Sequence, residues 1–289
     1  MALDLGELEM AVASVIIPAH NEAATIGRNL VALRTGTQAH DLEVVVVCNG
    51  CTDETAAVAR RADPLARVIE IRQPSKAEAV RVGNTATDVF PRVHLDADIE
   101  LSGSAVLQLL EPITRDHVLA TAPRREVPRH GCSPWVRWYY DVWEALPQVE
   151  AGLFGRGVVA LSEQAQARVT ALPRMMSDDL GMSDSFSGDE RRVVPGAVAV
   201  VHPPRTLRDL VRRRIRIATG NTQAAHLGVR RPASRTSLRI LLALAVSRPG
   251  VALRLPVFLG VHVAARLGAR RAVRSGDFTT WQRDESSRT

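Results

Sequence analysis

Two aspartates, Asp96 and Asp98, stand on either side of a single alanine, directly after the short predicted strand 92–95. Residues two apart on a strand point to the same face, so both carboxylates can lean into one pocket where the strand ends. Adjacent carboxylates repel each other and need a cation, and oxygen ligands of this kind suit Mg²⁺ or Mn²⁺, which would also bridge a substrate's diphosphate. The other interpretation is a polar turn after a strand, because a lone Asp-x-Asp is common.

Strand and helix patterns alternate in the chain before these aspartates. A short apolar, β-branched run at 13–18 and a valine-rich run at 42–48 predict buried strands, and two further strands are predicted at 67–71 and 92–95. Helical spacing predicts helices at 21–34, 55–62 and 75–84, the second of them capped by Thr52. This order favours a parallel or mixed sheet covered by helices. His20, Asn49 and Asp96 then share the strand-end edge where open α/β sheets bind ligands.

An ordered set of segments in this first half resembles a known family: SVIIPAHNEAATIGRNL, EVVVVCNGCTDETAAVA, Lys76 and HLDADIE. Together they resemble the family-2 glycosyltransferases with the GT-A fold, over roughly residues 13 to 220. The resemblance implies a mixed, mostly parallel central sheet flanked by helices. It also implies a nucleoside-diphosphate sugar as donor, Mn²⁺ or Mg²⁺ as cofactor, an acceptor hydroxyl, and usually inversion at the anomeric carbon.

The resemblance implies donor-binding roles for residues in the first 100 positions. Pro18, His20, Asn21 and Glu22 match the family's Pro-x-x-Asn-Glu loop. Asp53 matches the aspartate of its Ser-Thr-Asp turn, although helix capping explains Asp53 equally well. Lys76 aligns with a lysine near the diphosphate, where a point charge serves well, and a solvated lysine is the alternative.

One departure from the family pattern concerns the end of the second strand. The family usually has two aspartates there, one of which reads uracil, whereas this chain has Cys48 and Asn49. Asn49 can still bond a base edge, since its amide both donates and accepts. The change weakens any claim that the base is uracil. Cys48 and Cys51 have the spacing of a metal or redox pair, but no second pair accompanies them.

Candidate residues for the chemical step follow in the second half. Asp178 and Asp179 resemble the family's Glu-Asp motif, in which a carboxylate takes the acceptor hydroxyl's proton. We expect Asp179 to be the base, with Asp178 second, and an acidic helix N-terminus is the structural alternative. Gly155 and Gly157 match a glycine loop that lets the acceptor approach.

Three basic residues further along have weaker parallels. His202 falls where some GT-A enzymes place a metal-binding histidine, though a structural histidine is more common. Arg212 and Arg214 lie where processive relatives carry Gln-x-x-Arg-Trp; they could reach the diphosphate or form a solvated helix face. The missing glutamine and tryptophan argue against a processive polysaccharide synthase.

The predicted organisation is a catalytic domain at 1–204, with donor half 13–100 and acceptor half 101–204, followed by an arginine-rich helical extension at 205–289. A proline-rich loop is expected at 123–134, and helices at 134–146 and 207–218. The apolar runs 238–246 and 257–263 are shorter than the roughly 18 residues that cross a bilayer. They predict two broken helices that lie on a membrane or pack on the catalytic domain.

The formal charge of +6 and pI of about 10.1 favour an anionic partner. Lys76 is the only lysine, so the arginine excess partly reflects codon usage. No basic motif interleaved with aromatic residues indicates nucleic acid. The acidic N-terminus lacks a signal-peptide pattern, which predicts a cytoplasmic protein, with peripheral contact at the inner face of an anionic membrane.

The pattern leaves three alternatives in view. A retaining GT-A transferase is the nearest, and a catalytically degenerate nucleotide-sugar-binding partner protein is the non-enzymatic one. A sugar-1-phosphate nucleotidyltransferase needs a glycine- and arginine-rich loop after the first strand, where this chain has PAHNEAAT. The sequence leaves open the sugar, the base, the acceptor, the oligomeric state and whether the polar tail at 281–288 folds over the site.

Overall fold

The computed structural model describes the backbone of residues 11–172, 178–226 and 236–274. Side chains are described for residues 11–172, 181–222 and 236–271. The tail predicted at 281–288 lies outside the described residues. The chain forms two compact units. The first comprises the described parts of Met1–Pro123, Val158–Gln166 and Val194–Ala199, and the second comprises those of Arg124–Gly157, Ala167–Val193 and Val200–Thr289.

The strands and helices alternate in the first half, as the sequence predicts. The strands are β1 Ala13–Ala19, β2 Leu42–Asn49, β3 Arg67–Ile71, β4 Arg92–Leu95, β5 Glu100–Leu101, β6 Ala120–Glu126, β7 Val158–Leu161 and β8 Arg191–Val200. The helices up to Asp184 are α1 Ile26–Leu33, α2 Thr55–Ala62, α3 Lys76–Thr85, α4 Gly103–Arg115, α5 Pro134–Glu144, α6 Pro147–Ala151, α7 Glu163–Thr170 and α8 Asp178–Asp184. The remaining helices are α9 Leu207–His226, α10 Leu238–Ser247, α11 Pro249–Ala252 and α12 Leu255–Arg274.

The sheet has the strand order β3-β2-β1-β4-β7-β6-β8-β5. β1 pairs in parallel with both β2 and β4, and β2 pairs in parallel with β3. β4 then pairs antiparallel with β7, so the sheet is mixed. Because β1, β2 and β4 are parallel neighbours, their carboxyl ends meet at one edge, which confirms the predicted arrangement.

β1 and β2 form where the sequence has unbroken runs of valine and isoleucine. Such side chains fill both faces of a covered strand, and Ile16, Val45 and Val47 are fully buried together with Ala79 of α3. Gly83 allows α3 to approach the sheet closely, since a Cβ there would overlap the Cγ2 of Ile16. The site edge therefore rests on a tightly packed base.

Two boundaries before residue 135 differ clearly from the prediction, and α9 and α12 extend beyond the predicted 207–218 and 257–263. α1 begins at Ile26 instead of residue 21, because backbone groups of residues 21–23 bond to side chains of the next loop instead of forming a helical turn. The loop predicted at 123–134 is partly strand, because β6 continues to Glu126 and Pro123 sits within it. A proline is tolerated in a strand where its missing N–H is not needed by the ladder.

Apolar and aromatic side chains form the core of the second unit. Tyr139 of α5 stacks on Phe258 of α12 with ring centroids 5.3 Å apart, and His262 lies against both rings. α12 also packs closely on α9, where a Cβ at Gly268 would lie 2.5 Å from Ile215. None of the helices in the described ranges is long and apolar enough to cross a membrane.

Candidate functional site

The loops that follow β1 and β2, residues 20–25 and 49–54, are joined by side chains; we call them the strand-end loops. Asn21 has a left-handed backbone, with φ of 52°, and its Oδ1 accepts from the Thr52 amide at 2.7 Å. The Asn21 Nδ2 donates to the Thr52 hydroxyl at 3.1 Å. The Glu22 amide in turn donates to the Thr55 hydroxyl at 2.7 Å. Each loop therefore fixes the conformation of the other.

Asp53 connects both loops through its carboxylate. It accepts from the Thr55 amide at 3.0 Å, from the Thr55 hydroxyl, and from the Ala23 amide at 3.2 Å. Partial burial raises the pKa of Asp53, but these hydrogen bonds outweigh it and hold the pKa below its ordinary value. The predicted cap by Thr52 is wrong, because its hydroxyl pairs with Asn21 and Asp53 accepts from the first turn of α2 instead.

His20 and Asn49 occupy the ends of β1 and β2. The His20 Nδ1 lies at hydrogen-bond distance from the Asn49 carbonyl, and because a carbonyl only accepts, Nδ1 carries the proton. The Asn49 side chain is buried, and its Nδ2 donates to the Ala19 carbonyl at 2.8 Å. One of the two donors of the amide nitrogen that a base edge could have used is thus bonded to the backbone. Burial raises the pKa of the neighbouring Cys48 to about 12, so that thiol stays protonated.

Asp96 and Asp98 lie in a turn after β4, residues 96–99, which we call the aspartate turn. The Ile99 amide donates to the Asp96 carbonyl at 3.1 Å. Ala97 is buried, whereas both aspartates are partly exposed, so the carboxylates occupy the accessible side. Lys76, at the start of α3, places its Nζ 2.8 Å from the Asp96 Oδ1.

Asn29 is hydrogen-bonded to the backbone of the aspartate turn. Its role was not predicted from the sequence. This residue of α1 is 4% exposed, and its Nδ2 donates to the Ala97 carbonyl at 2.7 Å. The α1 helix therefore links the first strand-end loop to the turn. A polar residue on the buried face of a predicted amphipathic helix is the signal that could have found it.

The aspartate turn suits a divalent cation whose ligands come partly from the protein and partly from a bound diphosphate. In the described residues, no group of three or more His, Cys, Asp or Glu side chains is arranged to hold a metal by itself. Mg²⁺ characteristically binds through one or two carboxylates plus substrate phosphates instead of an all-protein cage. The two carboxylates of Asp96 and Asp98 match that donor chemistry, with the remaining positions left to diphosphate oxygens and water.

Two further predicted residues of the first unit lie in or beside the strand-end loops. Pro18 is half-buried within β1. Glu22 is 6% exposed, and its carboxylate accepts from the Thr25 hydroxyl at 3.0 Å. The first unit thus carries nine predicted residues: Pro18, His20, Asn21, Glu22, Asn49, Asp53, Lys76, Asp96 and Asp98.

The glycine loop of the second unit, residues 152–157, is shaped by two buried arginines. Gly155 and Gly157 have φ of 67° and 66°, a conformation that favours glycine. Arg125 donates to the carbonyls of Phe154 and Gly155 at 3.4 and 3.3 Å and stacks over the Trp143 ring at 4.3 Å.

Arg156 holds the start of the same loop. It donates to the carbonyls of Gly152 and Glu150 at 3.0 and 2.7 Å. Burial lowers the pKa of Arg125 to about 10 and that of Arg156 to about 9, which leaves both guanidinium groups charged at neutral pH. Their roles were not predicted, because nothing in the sequence separates them from solvated arginines.

Asp178 and Asp179 begin α8, and their side chains lie outside the described residues. Ser183, buried later in α8, accepts from the Leu153 amide at 3.1 Å, and Arg191 donates to its carbonyl at 2.6 Å. The helix that carries the predicted base is therefore attached to the glycine loop.

The remaining predicted residues also belong to the second unit. His202 is half-buried, and its carbonyl accepts from Arg213 at 3.3 Å. Arg212 lies 3.5 Å from Asp209 one turn away, and Arg214 lies over the Tyr139 ring at 5.7 Å. These contacts are those of a helix surface and a packed core.

Comparison with known proteins extends these observations. The model of the glycosyl transferase family 2 matches residues 14–153, which include the strand-end loops and the aspartate turn. No curated protein sequence matches the chain significantly.

Solved structures share the fold at low identity. A mannosyltransferase from Pyrobaculum calidifontis, in complex with GDP-Man and Mn²⁺, has 21% identity and a TM-score of 0.60 over 93% of this chain and 80% of that chain. Glucosyl-3-phosphoglycerate synthase from Mycobacterium tuberculosis, in complex with phosphoglyceric acid, has 23% identity and a TM-score of 0.56 over 77% and 82%. The same synthase has also been solved with Mn²⁺, UDP-Glc and glycerol 3-phosphate, with a TM-score of 0.54, 23% identity and the same coverage of 77% and 82%. The chain therefore carries a family-2 glycosyltransferase domain with the GT-A fold, as the sequence predicted.

Proposed function

We propose that this glycosyltransferase moves a sugar from a nucleoside-diphosphate sugar to an acceptor hydroxyl, with inversion and with a divalent cation. The observation that carries the proposal is the charge arrangement at the strand-end edge. A cation, Lys76, lies 2.8 Å from Asp96 in the aspartate turn, and Asp98 of the same turn is also partly exposed. A metal-bound diphosphate presents both signs of charge and complements this arrangement.

Asp98 and Asp96 would hold Mn²⁺ or Mg²⁺, which when bound neutralises charge on the diphosphate leaving group. Mn²⁺ accompanies the nucleotide sugar in the complexes of two structural relatives, and this supports the choice. Lys76 would contribute a point charge to the same diphosphate. Asn29 would keep the turn in position through Ala97.

The strand-end loops would receive the nucleoside, with Pro18, His20, Glu22 and Asp53 in the roles that the family motif implies. Their hydrogen bonds support a preorganised site, since Asp53 and Glu22 are already fixed by neighbouring hydroxyls and amides. Asn49 would act mainly through its carbonyl, which orients His20. Arg212 and Arg214 stay secondary candidates for the diphosphate, and His202 for the metal.

Asp179 is the proposed base, with Asp178 as the second candidate. It would take the proton of the acceptor hydroxyl while that oxygen bonds to the anomeric carbon, and the bond from that carbon to the diphosphate breaks. The link from α8 through Ser183 to the glycine loop supports this role, because it ties the base's helix to the loop proposed to admit the acceptor. A retaining reaction is the alternative, and the anomeric configuration of the product, read by NMR, distinguishes the two.

A second candidate function is a nucleotide-sugar-binding partner protein without turnover. The replacement of the family's aspartate pair by Cys48 and Asn49, with Asn49 buried and bonded to Ala19, favours it. Donor binding without transfer to any acceptor would support that function over the enzyme.

The test is a thermal-shift panel of UDP, GDP, dTDP, ADP and CDP, each with and without Mn²⁺. A ligand at about 100 times its dissociation constant stabilises a protein by about 2.7 kcal/mol. We expect one nucleotide to raise the melting temperature only with Mn²⁺, and that nucleotide names the donor's base. No shift with any nucleotide would contradict the proposed donor site.

We also propose a cytoplasmic, peripheral location at an anionic membrane. The arginine-rich extension supports it. We propose a catalytic domain at 1–204 and an extension at 205–289, because the chain becomes rich in arginine in the second segment.

A further inference from the structure

The positive charge of the chain is concentrated in one segment. Residues 210–276 contain 14 arginines and no aspartate or glutamate. The whole chain has 37 basic and 31 acidic residues, so 23 basic and 31 acidic residues remain outside the segment, a net charge of −8. Codon usage explains arginine in place of lysine, but it does not explain the absence of acidic residues here.

Helix α10 has an apolar face on both sides. Leu241 and Leu244 are buried in the core of the second unit together with Phe258 and Val261. On the opposite side, Leu238, Leu242 and Val246 are 75%, 66% and 84% exposed. Their spacing of four residues places them in one row along the helix.

Helix α12 repeats the arrangement. Phe258, Val261, Ala265 and Ala269 are buried, whereas Leu259, Val263 and Leu267 are 42%, 56% and 51% exposed. Exposed Arg266 and Arg270 lie beside this second row. We call the two rows, Leu238, Leu242 and Val246 with Leu259, Val263 and Leu267, the aliphatic rows.

We propose that the aliphatic rows and the arginines around them form a docking surface for a bilayer of anionic phospholipids. Helices that lie in a membrane interface combine such apolar faces with arginine, and each basic residue near an anionic surface strengthens the attachment. The inference deepens the peripheral location and rests on that proposed function; a bound membrane would present lipid-linked or membrane-associated acceptors.

Other occupants fit the surface less well. A second copy would bring the same arginine-rich, acid-free segment against its own like charges, which opposes pairing. Nucleic acid would match the arginines but would gain nothing from six exposed aliphatic side chains. Both remain outcomes that the experiment separates.

The experiment is cosedimentation of the full chain with vesicles of phosphatidylcholine alone and of phosphatidylcholine with phosphatidylglycerol. We expect binding to the mixed vesicles, weakened by salt because the charged contacts are screened. The double variant L242E/V246E should bind about tenfold more weakly or worse, because its carboxylates oppose both the apolar contact and the anionic surface. The matched control is V31E/L65E, which changes two side chains exposed to 59% and 54% in the first unit, and it should bind like the wild type.

Both variants replace exposed side chains, and equal melting temperatures would show that folding is preserved. Wild-type protein that fails to sediment with the mixed vesicles, or L242E/V246E that sediments equally well, would overturn the inference. So would a dimer or an RNA complex that L242E/V246E abolishes in the absence of lipid. Nucleotide binding is measured separately without vesicles, so failure of the donor site leaves a different signature from failure of the docking surface.

Discussion

The strand-end loops and the glycine loop are held in place by different means. In the strand-end loops and at the first residue of α2, short polar side chains such as Asn21, Asp53 and Thr55 bond to the backbone of the neighbouring loop. In the glycine loop, the long side chains of Arg125 and Arg156 reach through the core to backbone carbonyls. The strand-end loops are thus held by many individually weak hydrogen bonds, whereas the glycine loop is held by two buried guanidinium groups.

The difference indicates how each region responds to change. Loss of one contact among many costs about 1 kcal/mol, whereas loss of a buried charged donor leaves several carbonyls without partners. A single substitution in the strand-end loops should therefore change the stability of the protein only slightly and should lower its affinity for the ligand. A substitution of an arginine that holds the glycine loop should mainly lower the free energy of unfolding.

The largest expected effect is on the transfer step, whose proposed base lies on α8, the helix attached to the glycine loop. Asp179→Asn should leave nucleotide binding intact and lower the transfer rate by about 10² to 10⁴, the usual contribution of a general base. The measurement is kcat with saturating donor, alongside a nucleotide titration. Asp178→Asn is the control, and normal turnover by Asp179→Asn with loss in Asp178→Asn would reverse the assignment.

The next effect is on the stability of the glycine loop. Arg125→Met removes the donors to the carbonyls of Phe154, Gly155 and Val149, and should lower the free energy of unfolding by about 3 kcal/mol. Denaturant unfolding followed by circular dichroism measures the change. Arg124→Met, at the exposed neighbouring position, should stay within about 0.5 kcal/mol of the wild type. Equal effects of the two variants would contradict the bracing role of Arg125.

The smallest effect sharpens the comparison at the strand-end edge. Asn29→Ala removes the hydrogen bond to the Ala97 carbonyl, so nucleotide affinity with Mn²⁺ should fall about fivefold, which corresponds to about 1 kcal/mol. Its effect on the melting temperature should be small, because the Asn29 Oδ1 is buried without a hydrogen-bond partner in the described structure and is lost as well. Arg28→Ala, which removes an exposed pair with Glu100, is the control on the same helix and should leave the affinity unchanged.

Much of the fold could be predicted from the sequence in the first half, where short segments rich in valine and isoleucine mark β1, β2 and β3, and the short strand β4 leads into Asp96. After Gly103 the pattern fails. β8 contains Pro195 and Gly196 and β6 contains Pro123, so neither shows a clear strand pattern, and the four-residue β7 was not predicted either. These strands form through pairing with distant neighbours, which local periodicity does not record.

The candidate site divides in a similar way. Parallel strand order was enough to bring His20, Asn49 and Asp96 to one edge. The supporting residues could not be found in this way, since Asn29 and Arg125 act through contacts between residues 29 and 97 and between 125 and 155. Such contacts depend on packing that one sequence does not reveal.

The most direct test of the central claim is a calorimetric titration of the nucleotide chosen by the thermal-shift panel into wild type and Asp98→Ala, with Mn²⁺ and with a chelator. We expect tight binding only for the wild type with Mn²⁺, because the variant loses one of the two carboxylates proposed to hold the cation. Equal affinity in all four titrations would contradict a metal-bridged diphosphate at the aspartate turn.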